Sequence, residues 1–277
     1  MRQILHISDI HFGPPHLAEL AAEIHRFADD HHPDVVVVSG DLTQRAKPRQ
    51  FRAARAFIDR LPAPALVVPG NHDVPMYRFW ERIFDPFGAY RRHFSPDLEP
   101  IFQDDELFLV GINTAHGWTV KEGRIRLSRL RQVADLLQQV PDGLVKMVVA
   151  HHHMIPPPRF GTQSVLSNAY QAIELFSDAG VELVLSGHQH QTYLATSEEF
   201  YPSGREPVLM LHAGTTTSSR GRGSESNRNT FNWIRVDDRS LRFSLYRWEP
   251  TVHGFVEASR HFYPRRTCSP YCLVELD

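Results

Sequence analysis

This 277-residue chain contains only two cysteines, Cys268 and Cys272. That count excludes a disulfide framework and a cysteine-built structural zinc site, and two reduced thiols suit a cytosolic chain better than a bridge. Long apolar runs are missing as well. The longest clean one is Val35-Val36-Val37-Val38, the length of a buried strand and far short of the roughly 20 residues that cross a bilayer. The first residues, Met1-Arg2-Gln3-Ile4-Leu5-His6, lack the apolar stretch and small-residue cleavage site of a secretory leader. A cytoplasmic protein with no membrane partner is expected. Lysine is scarce: Lys47, Lys121 and Lys146 stand among 30 basic residues. A compositional bias toward arginine explains that more simply than a dedicated oxyanion site. Excess charge of either sign is absent too. The net charge of −2 gives no chain-wide pull toward polynucleotide, so nucleic acid is disfavoured as a partner.

What is present in excess is histidine, 17 residues of it. Imidazole is the commonest metal ligand and titrates near neutrality, so position decides its meaning. The first two-thirds of the chain alternates short apolar runs with amphipathic segments. Strands are predicted at 4–8, 35–39 and 65–68, with helices at 17–31 and 48–60 between them. That β-α-β-α-β order implies an α/β layered fold opening on parallel strands. A mostly helical, aromatic-rich stretch follows at 75–94. After it come a strand at 107–112, a helix at 128–140 with Ser128 as N-cap, and a strand at 144–150. A helix at 168–179 is stopped by Gly180, and a strand follows at 181–186. The last strands, at 191–196, 208–212, 230–237, 241–248 and 252–258, have no helices between them and read as a mainly antiparallel sheet. Residues 218–229 read as a mobile polar loop.

Five polar clusters each follow a predicted strand directly, which is where open α/β sheets place ligands. They are Asp9-Ile10-His11, Gly40-Asp41, Gly70-Asn71-His72-Asp73, His151-His152-His153 and Gly187-His188-Gln189-His190. Each alone is weak. Asp-x-His is common on surfaces, Gly-Asp is nearly uninformative, and Asn and Gly also make ordinary turns. Their joint occurrence after strands is the signal. A mixed Asp/Asn/His set suits Mn, Fe, Zn or Co, and it offers too many donors for one tetrahedral zinc. Two divalent metal ions sharing a carboxylate would suit in-line displacement at phosphorus, with a bridging hydroxide as the attacking group.

These clusters resemble the ordered signature of the calcineurin-like metallophosphoesterases over residues 3 to about 215. The resemblance implies a four-layer αββα sandwich with mixed sheets. The whole chain, 1–277, would form a single domain, with 191–277 supplying antiparallel strands of it. It implies that Asp9, His11, Asp41 and His190 hold one metal. Asp41, Asn71, His151 and His188 would hold the other, with Asp41 bridging. His72 would be the catalytic, non-ligand histidine, contacting substrate together with Asn71. One departure narrows the subfamily. Where the protein phosphatases carry an Asp that orients this histidine, Gln44 stands in Gly40-Asp41-Leu42-Thr43-Gln44-Arg45. The overall pattern is similar to bacterial class III cyclic-nucleotide and glycerophosphodiester phosphodiesterases. A hydrolase of small phosphodiesters is therefore expected. A nuclease, a phosphomonoesterase and a non-catalytic binding module of the same fold stand as alternatives.

Other residues carry weaker expectations. Arg45, Arg220 and Arg222 could reach a phosphate, although solvated loop charge is the stronger reading of each. His152 could contact substrate or support a ligand, as could His153, and His212 could support one. His6 reads as a buried, hydrogen-bonded histidine. Tyr77, Phe79, Trp80, Phe84 and Phe87 are assigned to core packing, with a cap over a base or an interface of a homodimer or higher homo-oligomer as the sharper options.

Overall fold

The computed structural model describes residues 1–157 and 165–266. Cys268, Cys272 and part of the 154–167 loop lie outside the described residues. The order of elements is β1 (Arg2–Ile7), α1 (Ala18–His31), β2 (Val35–Val38), α2 (Pro48–Asp59), β3 (Ala65–Val67), α3 (Phe79–Phe84), α4 (Gly88–His93), β4 (Ile101–Gln103) and β5 (Leu107–Ile112). Then come α5 (Leu127–Gln138), β6 (Val145–Ala150), α6 (Ala169–Asp178), β7 (Val181–Ser186), β8 (Tyr193–Thr196), β9 (Leu209–His212), β10 (Thr230–Val236), β11 (Ser240–Glu249) and β12 (Gly254–Pro264).

The strands form two six-stranded sheets, ordered β12-β11-β10-β1-β2-β3 and β4-β5-β6-β7-β9-β8. Side chains alternate across a strand, so an unbroken apolar run must be covered on both faces. Val35 and Val37 enter one apolar cluster with Leu109, Met147 and Leu185 of the other sheet. Val36 and Val38 point the opposite way, to Ile24 of α1 and Phe51 of α2. On the second sheet, Val110 and Val148 pack against Leu130 of α5 and Phe176 of α6. Three apolar clusters thus separate four layers, helix, sheet, sheet, helix. Each fully buried Val or Leu contributes about 1.5–3 kcal/mol.

β1, β2 and β3 run parallel, as expected from their order. Pro48 opens α2, where its missing N–H costs nothing. Gly180, at φ +78°, takes the left-handed turn that ends α6.

Four expectations change. The late strands do not form a sheet of their own. β10, β11 and β12 extend the first sheet, while β8 and β9 complete the second, where β9 pairs parallel to β7. Periodicity shows that a strand exists but not its neighbour. The stretch 75–94 is mostly helical, as expected, in two six-residue helices parted at Asp85-Pro86. Its aromatics are mostly outside the core: Tyr77, Phe79, Trp80 and Phe84 are exposed, and Phe87 alone of the five is buried. Ser128 lies inside α5, whose N-cap position is Arg126.

The 218–229 segment is tied down. Asn229 Nδ2 donates to the Ser218 carbonyl at 2.8 Å, and the buried Glu225 accepts from the Thr192 N–H at 2.9 Å. Among the described residues, no helix is long and apolar enough to cross a membrane.

Candidate metal centre

The parallel strands of both sheets end on one edge of the sandwich, and the polar clusters follow them there. Asp9 and His11 follow β1, Asp41 follows β2, and Asn71 and His72 follow β3. From the other sheet, His151 follows β6, and His188 and His190 follow β7. The loops are cross-bonded. The Asp9 N–H donates to the Gly40 carbonyl at 3.1 Å, and the His188 N–H donates to Asp9 Oδ2 at 3.0 Å across the two sheets.

The backbone is strained where the donors sit. Asp9, His11, Asp41, His188 and His190 all have positive φ, between 45° and 75°. L-residues in that region cost about 1–2 kcal/mol each, and such strain gathers at functional sites. Gly40 lies at φ +101°, and a Cβ there would overlap the His151 ring. The fold therefore brings backbone, strand and imidazole closer together than any other residue at that position permits.

Two groups of donor atoms result. In the first, His190 Nε2 lies 3.2 Å from Asp9 Oδ1, and His11 Nε2 lies 3.4 Å from His190 Nε2 and 3.7 Å from Asp41 Oδ2. One donor atom from each of Asp9, His11, Asp41 and His190 falls within 4.8 Å of every other, a group that could hold a metal ion. In the second, Asn71 Oδ1 lies 2.9 Å from His188 Nδ1 and 3.1 Å from His151 Nε2, which is itself 3.4 Å from Asp41 Oδ1. Ligands at about 2.0–2.2 Å from a common ion sit roughly 3–3.5 Å apart, so both sets fit a cation. The buried Asp9 Oδ1 has no hydrogen-bond partner, a costly state for a carboxylate oxygen unless a cation faces it.

The electrostatics agree. Burial alone would raise the Asp9 and Asp41 carboxyls. The histidines around them, His190 and His11 for Asp9, His151 and His72 for Asp41, outweigh it and hold both below the usual range. Burial also resists charge on His151, but Asp41 and Asp9 push it up to about 9. His190, buried, is pushed down to about 3, and burial with neighbouring histidines keeps His188 well below its ordinary value. Two anionic carboxylates beside neutral His188 and His190 are the protonation states metal ligation requires, and His151 would give up its proton to a cation.

His72 lines a cleft of about 800 Å³ that also exposes Asp41, Asn71, His188 and His190. Its Nδ1 donates to the Gln44 carbonyl at 3.1 Å. Arg45, Arg220 and Arg222 line the same cleft. His152 does not line it. It is buried, with Nδ1 2.7 Å from Thr114 Oγ1 and its ring 4.6 Å from that of His188. Of the two roles expected of it, substrate contact gives way to a place behind His188. His153 is likewise buried, beside Gln189 Nε2. His212 is buried against Ser186 Oγ at 2.7 Å and stacks on Tyr193. His6 is buried, 2.9 Å from Ser39 Oγ, as expected.

Two residues with clear work at the site had no assigned role from sequence. Asp73 accepts from the Leu42, Thr43 and Gly70 N–H groups, at 3.1, 2.9 and 2.9 Å, and so ties the loop after β2 to the loop after β3. Its place as the last residue of Gly-Asn-His-Asp was the available signal. Gln44 holds His72 by its carbonyl and Arg220 by its Oε1 at 2.8 Å. Nothing in the sequence marked it beyond its being in the wrong place for an Asp.

Fold and cluster together define an α/β sandwich with a candidate metal centre where the strands of its two sheets end. Residues 2–192 match the family model for calcineurin-like phosphoesterases, and the chain belongs to that family. It is 27% identical over 168 residues to a probable cyclic nucleotide phosphodiesterase of Synechococcus, covering 58% of this chain and 60% of that one. It is also 27% identical over 224 residues to a cAMP/cGMP dual specificity phosphodiesterase of Mycobacterium tuberculosis, covering 70% and 63%. The chain thus spans less than two thirds of the length of either relative. Among solved structures, a purple acid phosphatase from yellow lupin superimposes with a TM-score of 0.71 at 12% identity, over 95% of this chain and 54% of that one, a likeness of fold alone.

Proposed function

We propose that the chain is a dinuclear, metal-dependent hydrolase of small phosphodiesters, of the cyclic nucleotide or glycerophosphodiester type. One observation carries this reading: the Asp41 carboxylate stands between two donor sets, Oδ2 toward His11 and Oδ1 toward His151. Asp9, His11, Asp41 and His190 would hold one ion, and Asp41, Asn71, His151 and His188 the other. When bound, two divalent ions supply charge stabilisation at phosphoryl oxygens and lower the pKa of water.

The remaining work falls to the chain's own groups. Asn71 Nδ2 donates to the Val120 carbonyl at 3.1 Å, which keeps Oδ1 turned toward His151 and His188. His72 is held by Gln44, so with Nδ1 occupied its Nε2 is the ring atom free for a phosphoryl or leaving oxygen. Burial lowers the His72 pKa, and Asp41 only partly offsets this. With its pKa lowered, His72 donates a proton only through its protonated fraction, and the alkoxide leaving groups of cyclic nucleotides and glycerophosphodiesters would draw on that fraction. The names of the two bacterial relatives support the diester reading.

The test is a screen after reconstitution with Mn²⁺, comparing an aryl diester, an aryl monoester, cyclic nucleotides, glycerophosphodiesters and single-stranded DNA. A kcat/KM ratio above one for diester over monoester is expected. A ratio below one overturns the diester assignment, and hydrolysis of none of them overturns the enzyme assignment.

A further inference from the structure

The cleft wall is cationic to a degree that one phosphodiester does not explain. Arg45 and Lys47 reach it from the segment leading into α2, Arg49 from the first turn of α2, Lys121 from the β5–α5 connection, and Arg220 and Arg222 from the β9–β10 connection. The sole acidic side chain in the lining is Asp41. None of those six cations has a carboxylate partner among the described residues, whereas Arg2, Arg205, Arg242 and Arg260 elsewhere on the surface all do.

The arginines are also held in place. Arg220 Nη1 donates to Gln44 Oε1 at 2.8 Å, and the Arg222 backbone is fixed by its N–H to the His190 carbonyl at 3.3 Å and its carbonyl to Gln191 Nε2 at 2.9 Å. Arg45 Nη1 bonds the Gln44 carbonyl at 3.1 Å, and its guanidinium lies 5.5 Å from the centre of the Tyr77 ring. Burial lowers the Arg220 pKa against attraction from Asp41 and Asp9, and repulsion from Arg222 and Arg45 adds to the fall. Like charges gathered without a paired carboxylate repel, and an anionic ligand relieves that repulsion. A diester phosphate carries one negative charge, and the proposed metal pair already faces it.

Resting on the phosphodiester reading above, we propose that the substrate carries a second phosphate beyond the scissile diester, and that Arg45, Arg220 and Arg222 recognise it. The ligand class is a phosphorylated diester, monoanionic at the reacting phosphorus and dianionic at the remote one. Arginine suits the remote group because its planar fork binds phosphate oxygens bidentately.

Two matched pairs of probes test this, with thymidine serving only as the carrier. In the first, binding to the chelator-treated protein is measured by calorimetry for thymidine 3′,5′-bisphosphate and thymidine 5′-monophosphate. In the second, KM with Mn²⁺ is measured for thymidine 5′-(4-nitrophenyl phosphate) with and without a 3′-phosphate. The extra phosphate should tighten binding and lower KM by about tenfold or more, the scale of one charge-assisted contact. In Arg220→Gln and Arg222→Gln each ratio should fall toward one, with thermal unfolding confirming that the variants are folded. Equal binding of the two thymidine phosphates overturns the inference and leaves the phosphodiester reading standing. Preferential binding of the bisphosphate with no turnover of either ester supports an anion subsite and removes the hydrolase reading instead.

Discussion

The Nδ1–H of His72 points at the backbone carbonyl of Gln44, 3.1 Å away, while the Gln44 side chain holds Arg220. A carbonyl orients an imidazole without lending it the charge a carboxylate would. The two functions of Gln44 are separable, because substitution removes the side chain and keeps the carbonyl. Gln44→Ala should leave kcat for the 3′-phosphorylated thymidine 5′-(4-nitrophenyl phosphate) within about threefold and raise its KM about fivefold, the effect of one lost hydrogen bond to a charged group. Steady-state kinetics on one diester decides it. A drop in kcat with KM unchanged would mean that the side chain, and not the carbonyl, positions His72.

His72 itself should show a dependence on the leaving group. Proton donation matters little when 4-nitrophenolate departs and much when an alkoxide does. His72→Ala should lower kcat for an alkyl diester by about 10²-fold or more and for a 4-nitrophenyl diester by clearly less. Metal content should stay near the wild-type value, because His72 belongs to neither donor set. Elemental analysis alongside kinetics separates loss of chemistry from loss of metal.

Asp41 is the opposite case. Its oxygens face both donor sets, and Oδ1 also accepts the His72 N–H at 2.8 Å. Asp41→Ala should take bound metal from about two ions per chain to below about one and reduce kcat by at least about 10²-fold. Full metal occupancy with retained turnover would sink the bridging assignment.

The sequence exposed those ligand candidates because each stands within three residues of an apolar run whose type was plain: Ile7 before Asp9, Val38 before Asp41, Val149 before His151. Local order carried that information. Partnership did not. That β9 lies parallel to β7, or that β10 returns to pair with β1 in the register Ile4 to Ile234, depends on contacts between residues far apart in the chain. The aromatics at 77–84 misled for a related reason. Their composition resembles core, but two turns of helix cut at Asp85-Pro86 cannot bury four large rings. The cationic wall was hidden by averaging, since a net charge of −2 says nothing about which side chains share a cleft.

Buried neutral histidines make the metal-free protein acid-sensitive. His6 is fully buried, 2.9 Å from Ser39 Oγ, and burial pushes it down to about 3 despite Asp9. The unfolded chain binds that proton below its ordinary pKa of about 6.5, while the folded chain refuses it until near 3. The stability His6 contributes is therefore whole above pH 6.5 and is lost progressively as pH falls through the window between those values. The slope per such group approaches about 1.4 kcal/mol per pH unit. His6→Gln should lower stability at pH 7 but flatten its fall between pH 6 and 4 by up to one proton's worth. Urea unfolding with chelator present measures both. An unchanged slope would show that His6 takes up its proton without unfolding.

The two sheets are clasped at the edge remote from the site by Arg265, which follows β12, and Glu182, in β7. Both are buried, with Nη2 to Oε1 at 3.0 Å and Nε to the same oxygen at 3.2 Å. A buried pair of this kind gains little over apolar residues of similar size, because desolvation consumes most of the attraction, but removing one member strands the other's charge. Arg265→Met should therefore destabilise the fold by about 3 kcal/mol or more. Glu182→Leu combined with Arg265→Met should recover most of that loss. Denaturant midpoints for the two single variants and the double variant complete the cycle. If the double variant is as unstable as the sum of the singles, the pair is not coupled, and the clasp holds through packing of the arginine stem alone.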